Sequence, residues 1–432
     1  MALVPILLLH LWLASNFELS HDEAYYWLYS KHMAWGFFDH PPMVGLIIKF
    51  FSWMPKTELA VRVGFIILQL ASCIIINKLL IAGRKWIGLL LFFAFPLASF
   101  SGLFSLPDLP LLFFTVSYCY LLKRYLSKKD LTSIVGLSLV IPLLLYSKYH
   151  GILVVFFTLL ALPKLFKQKE FYLIMVLAIF GFLPHLLWQH EHGYATLKYH
   201  FFERPKVDFS FMRLLEYSLT QMFLAGLFVG PIVWWSVFRQ KTATDFDRAL
   251  KFISLGTFLF FLVSTCSKKF EANWTIFLTP ALIVLCVQSD IWMKKWAKRL
   301  LLISALTVFL PRFLLVMDPD LLKIKRLKEF HDWKKWAQEI QTKCKNPILA
   351  NTYQMASKLS FYLGHPVHAL NYGSRKNQFD FWNKDKSYYP SDIVCYLTDK
   401  KQFNGEIIPT PEGKELRLID GFTASELSIK NP

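Results

Sequence analysis

The sequence predicts a polytopic α-helical membrane protein with about eleven transmembrane helices, interfacial helices in the first outer loop and a small C-terminal α/β domain. Three observations predict this class. The 432 residues are 55% hydrophobic and 17% aromatic but only 18% charged, too apolar for an ordinary water-soluble globule. Apolar stretches of about 15 to 25 residues recur, a length that crosses a bilayer core of about 30 Å. At Asp318-Pro319 the composition then turns polar and stays so to the C-terminus.

The apolar stretches fall at roughly 3 to 17, 60 to 82, 86 to 104, 107 to 126, 131 to 147, 150 to 166, 171 to 188, 214 to 238, 249 to 266, 274 to 293 and 298 to 317. The first lacks a basic n-region and a small-x-small cleavage site, so it reads as a retained membrane helix. Pro96, Pro142, Pro231 and Pro280 interrupt four of them, which a multi-helix bundle tolerates because neighbours re-satisfy the freed backbone groups. Residues 318–432 mix β-like runs at 347–350, 367–370, 393–397 and 415–419 with helix-like runs at 328–341 and 353–363, the pattern of a small α/β domain. The domain division expected is therefore 1–317 and 318–432.

The formal charge of +18 excludes little until it is located. Five alternate loops totalling 41 residues hold 18 Lys and Arg, whereas the other five, totalling 90, hold 11. The positive-inside rule makes the first set cytoplasmic, which excludes a nucleic-acid patch as the source of the charge. The N-terminus is then expected inside and, with an odd number of crossings, the tail from Asp318 onward outside. Cys73, Cys119, Cys266 and Cys286 lie in or beside apolar runs and behave as small hydrophobes. Cys344 and Cys395 are in the polar tail and bridge only if that tail sits in an oxidising space and their distance allows it.

The first outer loop is the most informative segment. Ser20 with Glu23 three residues on forms a capping box, and Gly36 is a natural stop, so a helix is expected from His21 to Trp35. Pro41 and Pro42 open a second short helix through Trp53, too short to span and suited to the interface.

Several charged residues at this surface are candidates for chemistry. Asp22 begins the first-loop helix with no assigned partner and is the strongest candidate catalytic acid. Glu23 divides between catalysis and the capping box that already explains it. Asp39-His40 reads either as a site for a divalent metal or an acceptor hydroxyl, or as a solvated turn. Asp108 either caps its helix or joins Asp22. Lys148, in Ser147-Lys148-Tyr149, lies between two apolar segments, where an ammonium calls for an anion. Arg204, Lys268 and Lys269 are candidate phosphate contacts, with anchoring at lipid headgroups as the alternative. Acids and bases on one face suit transfer of a sugar from a lipid-phosphate carrier. The phosphate leaves without protonation, so the reaction asks for a base on the acceptor and cations for the growing phosphate charge.

Asp22-Glu23-Ala24-Tyr25, Phe38-Asp39-His40-Pro41-Pro42, Pro107-Asp108-Leu109-Pro110, Ser147-Lys148-Tyr149 and Asn273-Trp274 before Pro280 resemble the bacterial polyprenyl-phosphate-dependent glycosyltransferases. These are of the GT-C membrane fold, family 39 type, related to protein O-mannosyltransferases and to the aminoarabinose transferases of lipid A. The resemblance implies Asp22 as catalytic base with Glu23 completing an acidic pair, Asp108 as a second motif acid, and Lys148, Tyr149 and Asn273 as substrate contacts. Asp39 and His40 stand where the aminoarabinose transferases carry Glu-Lys before Pro-Pro, a Glu associated there with a metal. In the tail, Arg375, Asn377 and Gln378 are implied either as acceptor or donor contacts or as a packing loop.

The expected function is an inverting glycosyltransferase carrying a sugar from a polyprenyl-phosphate carrier to an envelope acceptor, lipid A or another glycan rather than protein. A multi-pass lipid or sugar transporter is the alternative, but it would place its polar residues near the midplane in symmetric halves. A non-catalytic receptor displaying the tail is a third, weaker reading.

Overall fold

The computed structural model describes residues 3–199, 203, 205, 207–373, 375–382 and 393–423. The chain forms two compact units. One comprises Met1–His10, His40–Val44 and Arg62–Arg312, and the other Leu11–Asp39, Gly45–Val61 and Phe313–Pro432. The second unit thus unites most of the first outer loop with the tail.

In the first unit every expected apolar stretch is helical. Three helical segments among the described residues are long and apolar enough to cross a membrane unaided, Glu58–Leu79, Lys169–Glu191 and Lys295–Val316. Lys85–Ala94 with Pro96–Leu103 makes a fourth if the bent pair is one span. The remaining stretches form shorter or more polar helices, including Leu3–Ser15, Leu131–Ser147 and Gly151–Ala161. Thr279–Val287 is buried along its whole length, as expected for a helix apolar all round at the centre of a bundle. Lys169–Glu191 instead exposes Leu173, Phe180, Leu183 and Leu187, an apolar face suited to lipid.

Two expected single spans are broken. The segment at 86–104 turns by 86° because Phe95, preceding Pro96, is pushed out of the helical region (φ −82°, ψ 111°) and Pro96 starts a new helix. The carbonyls at that short helix are met by side chains. Gln69 Nε2 donates to Ala98 O at 2.6 Å and Ser99 O at 2.9 Å, and Arg312 Nη2 donates to Ser99. The segment at 214–238 is two helices, Phe211–Leu224 and Gly230–Arg239, with Gly226 between them at φ +115°. A Cβ on Gly230 would stand 1.7 Å from Met222 O, so the helices meet this closely only with glycine there.

In the second unit the tail is an α/β domain as expected. Its strands are β1 (Ile348–Ala350), β2 (His368–Ala369), β3 (Ile393–Thr398), β4 (Glu406–Pro409) and β5 (Glu415–Thr423), in the order β2-β1-β3-β5-β4. The β1 strand is parallel to both neighbours, and β5 is antiparallel to β3 and β4. Leu349, Val394, Tyr396 and Phe403 form a buried cluster on this sheet. Helix Tyr353–Leu363 packs on the first-loop helix, which is His21–Lys31 rather than extending to Trp35. The shortening has a packing reason: Phe37 must return to stack on Tyr29 at 3.8 Å, which a helix continuing through residue 35 forbids. The second short helix is Met43–Phe50, starting just past the two prolines.

Cys344, the residue capping helix Trp333–Lys343, is disulfide-bonded to Cys395 in β3, with Cα atoms 5.6 Å apart. Closing a loop of this length is worth about 4 kcal/mol in the chain-entropy account. The double variant Cys344→Ser/Cys395→Ser is expected to lower the unfolding temperature of the protein in detergent, as read by differential scanning fluorimetry. An unchanged temperature would contradict a stabilising bridge.

Candidate active site

In the second unit the site begins with the capping box. Ser20 Oγ accepts from the Glu23 backbone N–H at 3.2 Å, and Glu23 Oε2 accepts from the Ser20 N–H at 3.0 Å. Glu23 is fully buried, so its carboxylate fastens the helix start. Its neighbour Asp22 is exposed, yet the surrounding protein desolvates its carboxyl enough to push it up to about 6. Glu329 and Asp39 add to the shift, and His21 and Arg375 oppose it.

Asp39 is held from two sides. The Tyr25 hydroxyl donates to Oδ2 at 2.6 Å, and Arg375 Nη1 pairs with Oδ1 at 2.8 Å. Burial nevertheless keeps the Asp39 carboxyl above the usual range, with the Arg375 charge and the Tyr25 hydrogen bond pulling it back. Gln378 completes a ring of contacts: its backbone N–H donates to the Tyr25 oxygen at 2.8 Å, and its Oε1 accepts from the Phe38 N–H at 2.7 Å. Tyr25 lies against Tyr353 at 4.7 Å and Tyr29 at 5.0 Å, and burial raises its hydroxyl well above the normal tyrosine range, so it stays a donor. Arg375 therefore contacts Asp39, and Gln378 hydrogen-bonds Tyr25 and Phe38. Sequence reasoning missed Tyr25 and Tyr353 as members of this cluster; the density of aromatics in the first loop was the available signal.

In the first unit a second polar cluster surrounds Asp108, at the start of helix Asp108–Lys128. Lys148 Nζ donates to Oδ1 at 2.8 Å, and Asn273 Nδ2 donates to Oδ2 at 3.1 Å. The helix's N-cap is Pro107, and the two Asp108 carboxyl oxygens are taken by Lys148 and Asn273 rather than by the helix's first N–H groups. The anion that Lys148 was expected to meet is Asp108, and both side chains are buried. Tyr149, the next residue, has its hydroxyl 2.8 Å from His185 Nε2 and accepts from Gln189 Nε2 at 2.8 Å, while Gln189 also donates to Thr196 at 3.0 Å. His185 and Gln189 went unremarked as site residues, although a histidine inside the apolar run 171–188 is itself a signal. His150 lies 5.0 Å from the Trp274 ring.

Lys268 is half-buried and Lys269 exposed, in the short link before Ala272–Leu278. His40, half-buried, belongs to the first unit. Arg204 lies outside the described residues. Among the described residues no group of three or more His, Cys, Asp or Glu side chains is placed to hold a metal. With Asp39 already engaged by Arg375 and Tyr25, the residues present do not assemble a metal site around Asp39 and His40.

Comparison with known proteins agrees with these motifs. Residues 39–188, which contain Asp39, His40, Asp108, Lys148 and Tyr149, match the family model described as dolichyl-phosphate-mannose-protein mannosyltransferase. Over 88% of its length the chain is 24% identical to the lipid A galacturonosyltransferase RgtD of Rhizobium johnstonii, covering 85% of that protein. Among solved structures, ArnT from Cupriavidus metallidurans in the apo state aligns with a TM-score of 0.71 at 10% identity, covering 96% of this chain and 97% of that one. The same protein bound to undecaprenyl phosphate aligns with a TM-score of 0.69 at 12% identity and the same coverage. The fold is the GT-C membrane fold, a helical membrane portion with a small sheet-containing tail. The resemblance to the GT-C glycosyltransferases read from the sequence motifs stands.

The Asp108–Lys148 pair generates a stability prediction. Asp108→Asn leaves the Lys148 ammonium buried without its counter-charge, expected to cost about 3 to 5 kcal/mol. Adding Lys148→Met in the same chain should recover most of that loss in thermal unfolding. A double variant as unstable as the single one would contradict the pairing.

Proposed function

We propose that this protein is an inverting glycosyltransferase of the bacterial inner membrane. In this reading it carries a sugar from a polyprenyl-phosphate carrier to a hydroxyl or amine of an envelope acceptor, lipid A or a related glycan, at the periplasmic face. The observation that carries the proposal is Asp22: a solvent-accessible carboxylate at the start of a helix held by its own capping box, with its carboxyl pushed up to about 6 chiefly by desolvation from the protein packed around it. A carboxylate so raised is still ionised near neutral pH and is a stronger base than an ordinary aspartate.

In the reaction, Asp22 takes the proton of the acceptor as its oxygen or nitrogen attacks the anomeric carbon. The bond from that carbon to the phosphate oxygen breaks, and the polyprenyl phosphate leaves with the electron pair. One displacement inverts the anomeric centre. Lys148, steered by Asp108 and Asn273, is assigned to the charge growing on the phosphate, with Tyr149 beside it. Arg204, Lys268 and Lys269 keep the same assignment on sequence grounds alone. Glu23 and Arg375 are positioning residues, the first through the helix cap and the second through Asp39. The name of one relative, the lipid A galacturonosyltransferase RgtD, supports lipid A as the acceptor, and a carrier such as undecaprenyl phosphate, bound in one ArnT structure, fits the apolar membrane portion.

Two observations support a cytoplasmic N-terminus and a periplasmic tail. Basic residues crowd into the loops on one side, and the Cys344–Cys395 bridge suits an oxidising space. Mass spectrometry of envelope lipids from cells with and without the protein is expected to show one added sugar only when the protein is present. Its mass identifies the sugar class. The Asp22→Asn variant should insert normally and abolish the addition. Sugar addition undiminished by that variant would overturn the assignment of the base.

A further inference from the structure

Within the second unit, the end of the first-loop helix and the tail enclose a cavity of about 350 Å³, enough for a sugar ring with a charged substituent. Six side chains give it its chemistry: Trp27, Lys31 and His32 from the first loop, Lys56 beyond the second short helix, and His368 and Trp382 from the tail. Among the described residues no carboxylate lines it. Lys31 Nζ stands 5.2 Å over the Trp27 ring, and the His32 and Trp382 rings are 5.2 Å apart and tilted at 45°, so a basic group sits beside each indole. Lys56 gives one of its three N–H bonds to the Phe361 carbonyl at 2.6 Å and keeps two for other acceptors.

The basic groups here work against one another. Partial desolvation by the neighbouring protein holds the exposed Lys56 ammonium below the ordinary lysine range, with Lys31 and Lys334 adding to the effect and Glu58 opposing it. Burial lowers the His32 ring, and lowers His368 with His32 adding to the shift. An anion placed between Lys31 and Lys56 relieves their repulsion and accepts charge-assisted hydrogen bonds, while flat indole faces pack against the apolar face of a sugar.

We propose that this cavity is a second saccharide site, taking a sugar that carries a phosphate or carboxylate group. Trp27 and Trp382 flank the ring, and Lys31 and Lys56 hold the anion. The site is separate from the proposed base. Lys31 follows Asp22 by nine residues, about two and a half helical turns, which puts the two on opposite sides of the helix. Its occupant is a part of the envelope glycan remote from the reacting hydroxyl, and its binding contributes to capture of the acceptor rather than to the chemical step.

The test is calorimetric titration of the purified full-length protein in detergent, without donor, using glucose 1-phosphate, glucose and inorganic phosphate as probes. Saturable binding of glucose 1-phosphate is expected, with glucose and inorganic phosphate each at least tenfold weaker. Lys31→Gln/Lys56→Gln should weaken glucose 1-phosphate binding at least tenfold. Both side chains are exposed, and an unchanged circular dichroism spectrum confirms that the variant is folded. In a transfer assay the same variant should raise the acceptor KM several-fold and leave kcat unchanged. Equal affinity for glucose and glucose 1-phosphate, or unaltered binding by the double variant, would overturn the proposal. So would indifference to glucose 1-phosphate combined with lysine-dependent retention on phosphatidylglycerol vesicles, which would make the pocket a membrane contact. Because binding is read without donor or turnover, its failure leaves the glycosyltransferase reading intact, and loss of transfer by an Asp22 variant leaves the pocket intact.

Discussion

The hydrogen bond from Tyr25 to Asp39 governs the organisation of the second unit. It ties the first-loop helix to the chain returning from it, and Arg375 and Gln378 bind both partners to the tail. Tyr25, Asp39 and Gln378 are buried, so each bond left unmade among them would cost roughly 1 to 3 kcal/mol of desolvation, while Arg375 reaches Asp39 from the exposed side. The same ring places a buried carboxylate near Asp22, and Asp39 is one of the charges that raise the Asp22 carboxyl. Desolvation is the main cause of that raised carboxyl, with Asp39 adding to it and Arg375 of the same ring opposing it. The adjacent acids differ in setting: Glu23 is taken up by the helix cap, whereas Asp22 is exposed.

The first unit obeys a related constraint imposed by its apolar surroundings. A helix broken by proline exposes carbonyls, and Gln69 and Arg312 meet those around Ser99. A lysine between two apolar segments needs an anion, and Asp108 supplies it while Asn273 occupies the other oxygen. The pair gives the buried Lys148 ammonium a counter-charge, without which burying it would be costly.

Features carried by local chemistry were legible in the sequence. The Ser20–Glu23 capping box, the polar switch at Asp318 and four of the five strands all follow from short-range pattern. The end of the first-loop helix was not, because the Tyr29–Phe37 stack, not Gly36, decides it. The β4 strand was missed because Pro409 and the preceding Gly405 read as a turn, a combination tolerated on an edge strand. That Lys148 needs an anion could be read; that the anion is Asp108 could not, since nothing local links residues forty positions apart. The bridge between Cys344 and Cys395 depended likewise on a distance that only the sheet sets.

The pH dependence of transfer by the purified protein, with donor held at saturation, tests most directly the claim that the raised Asp22 carboxyl is the base. Below its pKa the group is protonated and cannot accept the acceptor's proton. The account predicts a kcat/KM for the acceptor that is level above about pH 6 and falls tenfold per unit below it. A rate that stays level down to pH 4.5 in a protein that remains folded would contradict it.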